Sequence, residues 1–66
     1  MKNFNEFKAM AKESANLVEL MNKIKATGSN AFITDSNELW SGVSDYFGYI
    51  RYIAIETENG IACQMF

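Results

Sequence analysis

The chain has no histidine, no proline, one cysteine and one arginine, and each shortage excludes something. Without histidine, the commonest general base and the usual partner of a serine or cysteine nucleophile are missing. One thiol cannot make a four-ligand zinc site. Cys63 has no second cysteine for an intrachain disulfide, and a lone thiol fits the reducing environment of the cytoplasm. No run approaches the roughly 18 apolar residues of a membrane span. Residues Met1 to Glu6 lead into an amphipathic pattern, not into the unbroken apolar segment of a secretion signal. Gly28, Gly42, Gly48 and Gly60 do not have a phosphate-cradling spacing. Neither a repeat nor a low-complexity tract is visible.

What is present is ample apolar material for one domain. Of the 66 residues, 48% are hydrophobic and 14% aromatic, a composition that folds. A chain this short buries only about 60% of its unfolded surface. Small domains therefore draw on disulfides, metals or association. With the first two excluded, a second copy of the chain or a partner protein is left as the source of extra burial.

The net charge of −2 is unevenly spread. Residues 1–26 carry five lysines against three glutamates, and residues 27–66 carry Arg51 against Asp35, Glu38, Asp45, Glu56 and Glu58. Lysines on the first segment are interrupted by Glu13 and Glu19, so they do not make the basic stripe that neutralises phosphates, and no direct contact with nucleic acid is expected.

Residues 4–26 read as one long amphipathic helix. Phe7, Met10, Ala11, Ser14, Leu17, Val18, Met21 and Ile24 recur every three or four positions. Asn3 with Glu6 resembles a capping pair, Glu19 and Lys23 stand in the favourable i,i+4 order, and Thr27-Gly28 supplies a stop. Ala31 to Thr34 is a short strand candidate. Over Asp35 to Phe47, the spacing of Leu39, Trp40, Val43, Tyr46 and Phe47 favours a short second helix. A hairpin turning at Asp35-Ser36-Asn37 competes with it, because Ser41, Gly42, Ser44 and Asp45 are weak helix formers. Tyr49–Thr57 and Ile61–Phe66 read as a C-terminal antiparallel hairpin. A two-residue Asn59-Gly60 turn would pair Glu58 with Ile61, Glu56 with Cys63 and Ala54 with Met65, mixing charged with apolar residues. A three-residue loop at Glu58-Asn59-Gly60 is preferred, because it pairs Thr57 with Ile61, Ile55 with Cys63 and Ile53 with Met65, giving one apolar face. The expected fold is α+β: a long N-terminal helix on a small sheet.

On that register the opposite face carries Ile50, Tyr52, Ala54, Glu56, Ala62, Gln64 and Phe66, too apolar to stand in water, and one helix covers only one side of a sheet. Trp, Tyr and Arg are the residues interface hot spots favour. The expected protein-binding set is therefore Asp35, Glu38, Trp40, Asp45, Tyr46, Tyr49, Tyr52, Glu56 and Phe66, an acidic aromatic face suited to a basic groove on another protein. Cys63 on a strand reads as a small hydrophobe. The pairs Asp35/Glu38 and Glu56/Glu58 read as a cap and a turn flank, not as acid–base machinery. Neither an enzyme nor a cofactor is expected. The expectation is a binding module, as a homodimer or on a larger partner. Small phage-encoded inhibitors of host defence, anti-CRISPR proteins among them, offer an analogy of size and charge. A self-assembling subunit or an antitoxin-like protein is the alternative.

Overall fold

The computed structural model describes residues 3–45 and 48–66, with the side chains of residues 43–49 outside the description. Two helices, α1 (Phe4–Lys12) and α2 (Leu17–Ala26), precede four strands, β1 (Ala31–Ile33), β2 (Glu38–Asp45), β3 (Gly48–Thr57) and β4 (Gly60–Met65). The strands form an antiparallel meander in the order β1-β2-β3-β4. Both helices lie on one side of it, α1 against β3 and β4, α2 chiefly against β1. The α+β class is as expected, and three of its details differ.

The long helix is two. Asn3 caps α1 by accepting from the Glu6 N–H at 2.9 Å, as the capping pair implies. A second pair of the same kind, Asn16 and Glu19, starts α2 with the same 2.9 Å bond. Between them the Ser14 hydroxyl donates to the Met10 carbonyl at 2.7 Å. The Lys23 ammonium donates to the Glu13 carbonyl at 2.6 Å. Several orphan groups at the break between the helices are thus satisfied by side chains of the two helices and their linker. The break turns α2 so that Leu17, Leu20 and Ile24 are buried while Val18 is exposed. At its far end Thr27 caps α2 and Gly28 takes a φ of +89°.

The segment from residue 35 is a turn and a strand, not a short helix. Asn37 N–H donates to the Thr34 carbonyl at 2.9 Å and Thr34 N–H to the Glu38 carbonyl at 2.8 Å. Asn37, at φ 58°, supplies the left-handed residue, a conformation that asparagine tolerates. β2 then pairs with β3 from Glu38↔Ile55 to Asp45↔Gly48. Pairing with β3 along the strand, and with β1 over Leu39–Ser41, outweighs a helical spacing carried by a few apolar residues. Tyr46 and Phe47, the end of that spacing, lie outside the described residues.

The last hairpin is shifted by one residue from the expected register. Thr57 pairs with Gly60, Ala54 with Cys63 and Tyr52 with Met65. Gly60 has φ +114°, beside a two-residue turn in which the Thr57 hydroxyl donates to the Gly60 carbonyl at 2.7 Å. The shift exchanges the faces of β3. Tyr52 and Ala54 point towards the helices and Ile53 and Ile55 away from them.

The core contains Phe7, Ala11, Leu17, Leu20, Ile24, Ala31, Leu39, Tyr52 and Ala54. The Phe7 and Tyr52 rings stack at 5.3 Å, with Phe4 5.5 Å from Tyr52. Each large side chain removed from water here stabilises the fold by roughly 1.5–3 kcal/mol. Ser41, 5% exposed, is accommodated because its hydroxyl donates to the Asn30 carbonyl at 2.7 Å.

Candidate functional site

The side of the sheet away from the helices is the most distinctive surface of the described residues. Antiparallel partners share a face, so the register defines its rows. Phe32, Trp40, Ile53 and Gln64 form one row, Glu38, Ile55 and Ala62 the next. Gly42, Arg51 and Phe66 form a third, Arg51 and Phe66 exchanging both backbone hydrogen bonds. Phe32, Ile55 and Phe66 are 58%, 42% and 66% exposed. Phe32 and Trp40 stack at 6.5 Å, and the Trp40 indole N–H donates to a Glu38 carboxylate oxygen at 3.2 Å. Large apolar groups thus meet water on a face that neither helix covers.

Charge on this face is polarised. Glu38 stands at the end carrying the two turns, beside exposed Asp35 and Glu58, and Arg51 stands two rows away towards the other end. Shallow grooves cross the face, one along Glu38, Ile53, Ile55, Ala62, Gln64 and Phe66, another beside Phe32, Trp40 and Arg51.

The expected binding residues separate. Trp40, Glu38 and Phe66 come together on the outer face, with Asp35 at its rim. Tyr52, expected at an interface, is a core residue at 2% exposure, because the register places it opposite Phe7. Glu56 also belongs to the helix side. Its carboxylate accepts the Leu17 N–H at 2.8 Å and so holds the first turn of α2, where negative charge suits the helix dipole. Tyr46 lies outside the described residues, as do the side chains of Asp45 and Tyr49. Phe32, Ile53 and Ile55 belong to the outer surface without being expected there, whereas Arg51 lies among the aromatic residues as expected. The signal for Ile53 and Ile55 is their alternation, which the expected register turns towards the core.

Cys63 is half-buried on the helix side. Burial pushes its thiol pKa up, and the nearby Lys8 ammonium partly opposes this, so the thiolate is disfavoured at neutral pH. Among the described residues no group of three His, Cys, Asp or Glu side chains is placed to hold a metal ion, and no helix is long and apolar enough to cross a membrane. Comparison of the chain with protein-family models, curated proteins and solved structures finds no match.

Proposed function

We propose that this chain is a non-catalytic protein-binding module that lays the outer face of its sheet against a larger protein and so blocks or adapts it. The observation that carries this reading is the exposure of Phe32, Ile55 and Phe66 around a half-buried Trp40 on one continuous face. Aromatic side chains on a rigid sheet offer contact area with little ordering cost. The acidic rim at Asp35, Glu38 and Glu58 specifies the partner: an apolar patch bordered on one side by basic groups, as in the groove of a protein that handles nucleic acid. Inhibition of such a host protein, in the manner of small phage-encoded inhibitors, is the sharper form of the proposal.

A second reading has its own support. A two-fold axis through the centre of the face would set Arg51 of one copy towards Glu38 of the other, so the same surface suits a homodimer. Light scattering and affinity measurements on wild type, Trp40→Ala and Phe66→Asp separate the two. For the binding module, the wild type is monomeric and forms a stoichiometric complex that weakens as salt rises. Phe66→Asp keeps the melting temperature, Trp40→Ala lowers it but stays folded at the assay temperature, and both lose at least about tenfold in affinity. A wild-type dimer dissolved by Phe66→Asp establishes the homodimer instead. Variants that bind the partner as the wild type does would sink the first reading.

A further inference from the structure

The open edge of the sheet is a separate feature. β4 is an edge strand, and among the described residues no strand pairs with its far side. Phe66 exchanges both backbone hydrogen bonds with Arg51, so pairing alternates inward from there. Ala62, Gln64 and Phe66 direct their backbone groups towards β3, and Ile61, Cys63 and Met65 direct theirs outwards. Natural edges are commonly protected by charge, proline or a bulge. Residues 60–66 contain neither proline nor charge, and the register with β3 is unbroken. The opposite edge, β1, offers only three residues.

Above this edge α1 presents one flank. Asn5, Lys8, Ala9 and Lys12, spaced at three and four residues, line a groove together with Ile61 and Cys63 of β4. Lys8 and Lys12 are the charged members of that lining, and both are exposed. Lys8 lies 4.9 Å from the centre of the Phe4 ring and close enough to act on the Cys63 thiol. The one ion pair between described side chains, Lys23 with Glu19, lies on the other helix.

We infer that the β4 edge and the Lys8/Lys12 flank of α1 together form a site for strand addition by an extended acidic segment of another protein. The backbone of the incoming segment would pair with Ile61, Cys63 and Met65, the main-chain mode of β-augmentation. Its alternate side chains would enter the groove under α1. Acidic residues two apart on a strand are about 6.8 Å apart, and lysines four apart on a helix are separated by about 6 Å of rise, so the two spacings match. A second copy of this chain fits less well. Its β4 would bring no acid to the groove, and a two-fold pairing would bring Lys8 and Lys12 of both copies towards each other. This site adjoins the outer face, Cys63 bordering the grooves of both, but the edge backbone and the lysines that define it belong to neither outer-face groove.

The test uses the full chain, labelled for amide spectroscopy, and a blocked six-residue peptide alternating valine with glutamate, matched to the six residues of β4. Millimolar peptide is expected to shift the Ile61, Cys63 and Met65 amides and leave Phe32 and Trp40 unmoved. Raising salt, or the double variant Lys8→Gln with Lys12→Gln, should weaken binding about tenfold. The variant's melting temperature checks that it folds, and both lysines are exposed. A peptide alternating valine with lysine should not bind. Equal binding of the lysine peptide, no shift with the glutamate peptide, or shifts confined to the outer face overturn the inference. So does a free chain that is already dimeric with those three amides protected, since a second copy then fills the edge.

Discussion

Glu56 joins two parts of the chain that are distant in sequence. Its carboxylate takes an orphan N–H of α2, and nothing near residue 56 in the sequence signals this. Glu56→Ala is expected to destabilise by about 1–2 kcal/mol, the range for losing a charge-assisted bond at a helix start. Glu56→Gln should fall between, since the amide oxygen can still accept. Urea denaturation of the three proteins measures this order. Tyr52 is the larger stake. Removing an aromatic ring from a packed core costs about 3–5 kcal/mol, a large share of the roughly 3–10 kcal/mol expected of a domain this size. Tyr52→Ala should therefore unfold at much lower urea than the wild type, followed by circular dichroism, whereas Phe66→Ala, on water, should shift the midpoint little. Cys63 gives a pH signature. Its pKa is raised in the fold by burial, so its contribution to stability is complete below the ordinary thiol pKa and is lost as pH rises through the folded value. Above that ordinary value, the wild type should lose stability with pH more steeply than Cys63→Ala. Parallel profiles would mean that the thiol is not desolvated.

At the scale of elements, the break between α1 and α2 produces an expectation opposite to helix propensity. Alanine is the better helix former at positions 14 and 16, so a simple propensity scale makes Ser14→Ala with Asn16→Ala stabilising. The structure requires the reverse, a loss of about 1–2 kcal/mol, because the Asn16 cap and the turn at Ser14 aim Leu17, Leu20 and Ile24 at the sheet. Thermal denaturation reads the sign. The same region shows what the sequence made legible. The Asn3–Glu6 cap, the apolar stripe and the Thr27-Gly28 stop are local chemistry, and each helix terminus they imply exists. Asn16–Glu19 repeats the first signal inside the stripe, and continuous apolar spacing hid it. The strands were harder for one physical reason: both faces of the sheet are apolar. Leu39 is buried and Trp40 lies outward, so apolar residues fall side by side and imitate a helical spacing. Ile53 and Ile55 are as apolar as Tyr52 and Ala54, so two registers of the last hairpin offer a plausible core. The observed register sets Glu56 against Leu17 and Tyr52 against Phe7, long-range contacts that strand pairing does not display. The binding residues inherited the same ambiguity. Trp40 and Phe66 were found because they are aromatic, Phe32 was missed, and Tyr52 was assigned to the wrong face by one residue.

For the whole molecule the consequence is a two-layer fold with a third layer's worth of apolar surface on its outside. The helices cover one side of the meander, nothing among the described residues covers the other, and a small chain gains stability from whatever occupies that side. Trp40 is the chain's only tryptophan and sits in the centre of the bare face, stacked on Phe32, so it reports on that face alone. An occupant that removes it from water should shift its emission to the blue and raise the melting temperature together, both saturating at the same concentration. An acidic strand peptide at the β4 edge should raise the melting temperature with no change in emission, since Trp40 is on β2 and two strands from that edge. Titrating partner and peptide separately, then together, therefore distinguishes the two surfaces. Additive stabilisation is expected if they are independent. Competition between the two would mean that one occupant spans both, running from the outer face around Phe66 to the groove under α1.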